Sequence, residues 1–278
     1  SFSPMGNYIY WYDDNARHWY SHNNKSGDIK NLTEDINVNF WNEKNDVPNS
    51  PGSYGIAAWG ENDEYILLND MYDIWRIYPY GTKKSVNITL GKGRTESITF
   101  RYVNTDREKR FIEPKDQLLL SAFNNISKER GYYTLKQSGR NPLQERVMDK
   151  YNFTGLLKAK EVELMLFQKS NFTTSPDINI TSDLWKSSYK LTDINSQMSE
   201  YNWGTAELFS WTSYANVHLQ GILYKPEDFN PTKKYPVMIY FYEKHSDNLY
   251  SYLSPAPSRS TINIPFFVSR GYIVFTPD

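Results

Sequence analysis

The chain has 278 residues, of which 39% are hydrophobic, 23% charged and 16% aromatic, and its net charge is −1. A charge this close to zero gives no attraction for nucleic acid or an anionic membrane, and no apolar run of about 18 residues is present to span a bilayer. The absence of cysteine excludes disulfides, zinc–thiolate sites and thiol catalysis.

Residues 1–205 alternate short aromatic or β-branched segments with turn clusters, a pattern typical of an all-β sandwich, barrel or propeller. A repeat favours the propeller. Two copies of strand, turn and strand end at Asn31-Leu32-Thr33 and at Asn87-Ile88-Thr89. The spacing from position 31 to position 87 is 56 residues, near the length of a four-stranded propeller blade.

Two fainter copies follow. Residues 110–125 predict two strands and 131–139 a third, and a further copy runs through 152–171 and 183–195. We therefore predict a partial β-propeller of three to four blades over residues 1–205. Because a closed propeller usually has more blades, we expect the chain to lack blades at its N-terminal side.

The composition changes at Trp203-Gly204. Residues 207–211 and the alternating segment 217–226 predict paired strands, and the apolar run 235–242 predicts a strand buried on both faces. A helix is predicted near Ile264–Arg270, with Gly271 free to take positive φ at its C-terminus, followed by a strand at 272–275. Strand, helix and strand at this spacing form a parallel βαβ unit, so residues 206–278 are predicted to be a separate domain.

Three motifs of this segment carry a family resemblance, namely Leu223-Tyr224-Lys225-Pro226, Lys234-Tyr235-Pro236-Val237 and Arg270-Gly271-Tyr272. Following propeller blades in this order, they resemble the prolyl oligopeptidase family of serine peptidases, which includes dipeptidyl and acylaminoacyl peptidases. The resemblance implies a propeller that caps an α/β-hydrolase domain and peptide substrates cleaved by a Ser-His-Asp triad. In this interpretation the chain carries the last blades and the first strands and helix of the hydrolase.

The resemblance also implies a role for Tyr242. In the family a Tyr at this point donates its hydroxyl to the tetrahedral oxyanion, an interaction that lowers the barrier. This chain departs from the family pattern, since Glu243-Lys244-His245 stands where small residues are usual and Ala215-Asn216 where Asp-Gly is frequent. The alternative is that Tyr242 only packs within the domain.

No triad is found within the chain. No G-x-S-x-G motif occurs, and the histidines are His18, His22, His218 and His245. A pairing of His245 with Ser246 or Ser254 lacks an orienting third group. We expect the triad to lie beyond Asp278, the chain alone to be inactive, and no cofactor or metal to be required. The expected partners are a peptide substrate and either the remainder of the hydrolase domain or a second copy.

Carboxylates in the first part of the chain offer another site. Glu43, Asp46 and Asp70 form a candidate metal or amine site, although solvated turn residues are the more common explanation. The segment Asp73-Ile74-Trp75 resembles a Trp-Asp repeat motif, but we favour a strand that packs its Ile and Trp.

Two other functions compete with the peptidase. One is a non-catalytic propeller module that binds peptide, protein or glycan, because the chain has no triad. The other is an enzyme with a metal-dependent site in the propeller channel.

Seven N-x-S/T sequons are present, and they would be consistent with a secreted glycoprotein. Asn and Thr are also common at turns, and we favour this second explanation of the sequons. They begin at Asn24, Asn31, Asn87, Asn125, Asn152, Asn171 and Asn179. The chain starts with Ser1 rather than Met, which leaves room for a removed leader. We favour a periplasmic or secreted location over a cytoplasmic one.

Overall fold

The computed structural model describes residues 1–137, 142–182 and 184–278. The end of the predicted strand at 131–139 and Asp183 of the last predicted copy lie outside the described residues. The chain folds into two compact units. The first contains Ser1–Ile126 and Gly131–Met148, and the second contains Ser127–Arg130 and Asp149–Asp278. Among the described residues, neither α-helix reaches the length and apolar character needed to cross a bilayer.

Three sheets of short strands are built from the first half of the chain, and the prediction of a mainly β protein is confirmed. The sheet orders are β1-β2-β3, β4-β5-β6-β7 and β11-β10-β9-β8. The strands are β1 Tyr8–Asp13, β2 His18–Asn23, β3 Ile29–Asn31, β4 Ile56–Trp59, β5 Ile66–Asn69, β6 Ile74–Ile77, β7 Val86–Asn87, β8 Ile98–Val103, β9 Gln117–Asn124, β10 Arg130–Lys136 and β11 Leu143–Asp149. Antiparallel sheets of this kind are consistent with propeller blades.

The Asn-Leu/Ile-Thr repeat has a structural cause. Thr89 is fully buried, and its Oγ1 accepts the Ile74 N–H at 3.1 Å while donating to Asp73 Oδ1 at 2.6 Å. The preceding residue, Ile88, donates its N–H to the Ile74 carbonyl at 2.9 Å. The threonine hydroxyl thus hydrogen-bonds the start of β6 at the point where its pairing with β7 ends. We call this arrangement the threonine clasp.

The first sheet contains the same clasp. Thr33 Oγ1 accepts the Trp19 N–H at 3.2 Å, His18 takes the place of Asp73, and Leu32 N–H donates to the Trp19 carbonyl. A third clasp joins Thr192, Ile178 and Asp177 in the second unit. Because Thr33 and Thr89 are buried hydrogen-bonding residues, packing accounts for these two sequon-like sequences.

Two apolar clusters form the core of the first unit. In one, Tyr8, Trp19 and Phe40 pack with Trp59 and Ile66. The other contains Phe100, Tyr133, Leu120 and Leu135, with the Phe100 and Tyr133 rings edge to face at 5.0 Å. Ile74 is fully buried and Trp75 packs against the first cluster, which confirms the predicted packing role of Asp73-Ile74-Trp75.

The second unit contains two further sheets, ordered β12-β13-β14-β15 and β16-β17-β19-β18. Their strands are β12 Asn152–Lys158, β13 Met165–Asn171, β14 Thr174–Thr181, β15 Tyr189–Lys190, β16 Thr205–Thr212, β17 His218–Lys225, β18 Val237–Ile239 and β19 Ile273–Pro277. In the last sheet β18 and β19 are parallel, whereas β16, β17 and β19 pair antiparallel. Ile222, Val274 and Val268 are buried in its core.

The predicted helix near Ile264–Arg270 is present as α2, Ile264–Val268, after the earlier short helix α1, Lys92–Glu96. Asn263 caps its start by accepting the Phe266 N–H at 3.2 Å. At its end Gly271 has φ 81°, and the Tyr272 N–H bonds to the Phe267 carbonyl at 3.1 Å. The Phe267 and Tyr272 rings touch edge to face, which completes a Schellman cap.

Several details of the strand predictions were wrong. Residues 110–125 hold one strand, β9, rather than two, because Ile112 forms only an isolated bridge to Gly60. Strands β8, β11 and β14 had not been predicted. The segment 235–242 is not buried on both faces, since Val237 and Ile239 are exposed on the outer strand β18. The strand predicted at 272–275 is present as part of β19, which lies between β17 and β18.

Candidate active-site loop around Tyr242

Tyr242 lies just beyond the end of β18. The backbone N–H of Tyr240 donates to the Phe275 carbonyl at 3.0 Å, so pairing with β19 continues almost to Tyr242. Tyr242 itself has φ 86° and an 82% exposed side chain. Its hydroxyl makes no hydrogen bond to the residues the structure describes. We call residues 240–249 the Tyr242 loop. The loop presents a phenol to solvent at the carboxyl end of a parallel strand, a common position for binding residues in α/β sheets.

The base of the Tyr242 loop is fixed by Ser246. Its backbone N–H donates to Asp278 Oδ1 at 2.7 Å, and its hydroxyl donates to Asp278 Oδ2. Gln220 Nε2 donates to the same hydroxyl at 3.1 Å, and the Gln220 carbonyl accepts the Asp278 N–H. Ser246 is buried. These bonds give Ser246 a structural role and leave its hydroxyl turned to a carboxylate rather than to His245.

The neighbouring Asp247 is held from a distant part of the chain. Lys128 Nζ lies 2.8 Å from Asp247 Oδ1, and Arg130 donates to the Asp247 carbonyl at 2.9 Å. The Lys128 side chain is only 3% exposed, whereas that of Asp247 is 51% exposed. Burial lowers the pKa of Arg130 from its ordinary value, and the charge of Asp247 opposes that shift. A buried ammonium needs a paired anion, so Lys128 depends on this contact.

The histidines do not assemble into a triad with any described residue. The His245 ring packs on Tyr240 at 5.5 Å between centroids, and its buried Nε2 has no partner among the residues described. His18 and His22 lie on β2, where they contact Thr33 and Asn24. His218 is exposed at the start of β17, and Ser254 is exposed in a later loop.

The carboxylates of the first unit are not gathered into a metal site. Asp70 was expected to be solvated but is fully buried, where it accepts the backbone N–H groups of Tyr72 and Asp73 and the indole N–H of Trp75. Asp46 is exposed, and Glu43 accepts from a nearby side-chain amide. Among the described residues no group of three or more His, Cys, Asp or Glu could hold a metal ion. Turn stabilisation accounts for Asp70.

The turn between β16 and β17 closes on Ala215-Asn216 without a glycine. Asn216 has φ 58° and donates its N–H to the Ser213 carbonyl at 2.9 Å. Asn tolerates this left-handed conformation better than most residues other than glycine. The hairpin therefore closes with Ala215-Asn216 in place of Asp-Gly.

The whole chain shares its fold with solved peptidases. It matches a Bacteroides ovatus protein assigned as a dipeptidyl aminopeptidase IV with a TM-score of 0.64 and 14% identity, covering 100% of this chain and 40% of that one. Two acylaminoacyl peptidase structures match with a TM-score of 0.55 and 16% identity, each covering 100% of this chain and 39% of the solved one. One is from Pyrococcus horikoshii, and the other is a complex with Z-Gly-Gly-Phe-chloromethyl ketone. No protein-family model and no curated protein matches the sequence.

These similarities establish the fold. The chain spans about two fifths of the length of the solved structures it matches. Tyr242, His245 and Ser246 could be named from the sequence, whereas Lys128 and Arg130 could not. Nothing in the local sequence marks those two, because their partner Asp247 lies 119 and 117 positions away.

Proposed function

We propose that this chain is a portion of a serine peptidase of the prolyl oligopeptidase type, which hydrolyses peptide bonds of oligopeptides in the full-length protein. The observation that carries the proposal is the match of the entire chain to dipeptidyl and acylaminoacyl peptidases. The mixed sheet with its parallel β18–α2–β19 unit is further support for a hydrolase portion at 206–278, preceded by a propeller portion at 1–205. A periplasmic or secreted location is part of the same proposal.

Tyr242 is assigned the oxyanion role. Its phenol follows β18 on an anchored loop and has no internal hydrogen bond to the described residues that a substrate would have to break. A donor aimed at the developing negative charge acts mainly in the transition state and therefore raises kcat. Loss of one such donor costs about 100- to 1,000-fold in kcat, or about 3–4 kcal/mol.

The test is a Tyr242→Phe variant of the full-length protein, assayed with a dipeptide or oligopeptide reporter. We expect kcat to fall about 100-fold or more with little change in KM. Tyr201→Phe is the matched control, since Tyr201 is also exposed but lies outside the Tyr242 loop. The 278-residue chain should show no turnover. A full-length protein that hydrolyses no peptide reporter would refute the peptidase, and unchanged kcat in Tyr242→Phe would refute only the role of Tyr242.

The alternative is a non-catalytic module that binds peptide, protein or glycan. The feature in its favour is Glu243-Lys244-His245, which places two charged side chains and an imidazole beside Tyr242 where the peptidase family usually has small residues. Full-length protein that retains peptides without cleaving them, as measured by calorimetry and mass spectrometry of the recovered ligand, would support this alternative.

A further inference from the structure

The Tyr242 loop is tied at two adjacent residues to two different places. Ser246 is bound by Asp278 and Gln220 of its own sheet. Asp247 is bound by Lys128 and Arg130, which come from the turn between β9 and β10 and the start of β10. The four-residue segment Ser127–Arg130 groups with the second compact unit, although the strands on either side of it belong mostly to the first. Lys128, Arg130 and Asp247 therefore lie in the same compact unit.

The contacts of Ser246 and Asp247 also restrict the position of Tyr242, because the segment that joins them to it is short. Residues Ser246–Asn248 form one 3₁₀ turn, in which the Asn248 N–H donates to the His245 carbonyl at 2.9 Å. The His245 ring packs on Tyr240, whose backbone is paired with β19. Only residues 241–245 separate the paired Tyr240 from Ser246. A short segment between two fixed ends has few conformations, so the position of Tyr242 depends on both ends.

We propose that Lys128 and Arg130 are positioning residues, which act on the reaction through Asp247 by holding the Tyr242 loop where its phenol meets the developing oxyanion. This inference rests on the proposed function. Neither residue is assigned contact with the substrate. Misplacement of a catalytic group by about 1 Å can cost about 100-fold in rate, so the loss of a remote anchor is expected to reduce kcat.

Lys128→Met is the cleanest variant. It keeps an unbranched side chain one atom shorter than Lys and removes the ammonium with its charge and its hydrogen-bond donors. The Asp247 carboxylate that loses its partner is half-exposed and can be hydrated. Asp247→Ala is less suitable, since it would leave the buried Lys128 ammonium without an anion and threaten folding. Lys128→Arg, which keeps a cation, serves as the conservative rescue. Lys169→Met is the control, because Lys169 forms a 2.9 Å ion pair with Asp149 in the same unit but not with the Tyr242 loop.

The experiment measures two quantities on the full-length protein, which are hydrogen exchange of the peptide covering residues 243–251 and the kinetics on a dipeptide reporter. In Lys128→Met we expect exchange in that peptide to rise about tenfold. We also expect kcat to fall about 10- to 100-fold with KM within about twofold. Lys128→Arg should restore much of both, and Lys169→Met should change neither.

The outcomes separate the inference from the function on which it rests. Unchanged exchange in Lys128→Met overturns the inference whatever the activity. Raised exchange with unchanged kcat also overturns it, because the loop would then be held for stability alone. Wild-type protein that cleaves no reporter, while Lys128→Met still raises exchange, refutes the proposed peptidase and leaves the anchoring of the loop established.

Discussion

Replacing Thr89 by Val tests the threonine clasp without opening a cavity, because the two side chains have nearly the same shape. The hydroxyl that is lost accepts the Ile74 N–H and donates to Asp73, and all three residues are buried. An unsatisfied buried N–H costs about 1–3 kcal/mol, and a hydrogen bond to a charged group contributes about 1.5–3 kcal/mol. Asp73 keeps its bonds to the N–H groups of Gly93 and Arg94, which limits the damage. We expect Thr89→Val to destabilise the chain by about 2–4 kcal/mol.

The assay is urea denaturation of the 278-residue chain, followed by far-ultraviolet circular dichroism. At a slope of about 2 kcal/mol per molar urea, this loss lowers the midpoint of the affected transition by about 1–2 M. Thr154→Val is the control, since Thr154 is exposed and its hydroxyl only meets Gln168. Its effect should stay within about 0.5 kcal/mol. A Thr89→Val loss below about 1 kcal/mol would refute the clasp as a stabilising element.

Two further predictions concern close packing and pH. A Cβ on Gly131 would lie 1.7 Å from the Val147 carbonyl oxygen. Gly131→Ala should therefore destabilise the chain by about 1–3 kcal/mol or more in the same urea denaturation assay. The control is Gly52→Ala, whose added Cβ would meet no atom within 4 Å and should have little effect. Burial raises the pKa of Tyr132 from its ordinary value of 10.0 to about 12. The unfolded chain therefore loses this proton first as pH rises, and about 2–3 kcal/mol of stability present below pH 10 should be lost by about pH 12. Thermal melts between pH 9 and 12 should show a smaller alkaline loss in Tyr132→Phe than in the wild type, and the same loss as the wild type in the exposed control Tyr214→Phe.

Sequence patterns predicted those elements whose apolar residues face the core. Strands β1, β2, β5 and β6 were found because aromatic and β-branched residues follow one another between turn signals, and α2 because Gly271 marks its end. Strand β14 was missed for the opposite reason. Its buried positions are polar, among them Ser175, Asp177 and Thr181, while Ile178 is partly exposed.

Strand β14, whose buried positions are polar, is stable because hydrogen bonds replace apolar contacts. Asp177 accepts from the Thr192 hydroxyl at 2.8 Å and the Ile194 N–H at 3.0 Å, and Lys190 Nζ lies 2.9 Å away. These partners depress the pKa of Asp177 against the opposing effect of burial. Such partners come from β15 and the segment after it, so no pattern within β14 itself could reveal them. Rules based on hydrophobicity alone assign this segment to a loop.

Prediction of the site was limited in the same way. Tyr242 was identified only through the family resemblance, which assigns a role to a Tyr that follows an apolar strand. Its anchors were not, since Lys128, Arg130 and Asp278 lie far away in sequence and are brought to the loop only by folding. The same folding gives Ser246 a structural role through Asp278 and Gln220, and a pairing of Ser246 with His245 had already lacked an orienting third group.

The exposure of Tyr242 sets a condition on the proposed peptidase. A phenol that is 82% exposed exchanges hydrogen bonds with water, and a donor in water stabilises an oxyanion far less than one in a site from which water is excluded. Catalysis therefore requires that substrate and neighbouring residues of the full-length protein cover Tyr242. In a binding module Tyr242 could contact the ligand at the edge of the interface and remain exposed to water. Solvent accessibility of Tyr242 during turnover is thus the quantity that distinguishes the two functions. Strong protection of its ring from hydroxyl-radical labelling in the presence of a peptide-based covalent inhibitor would favour the peptidase, and an unprotected ring would rule out the oxyanion role.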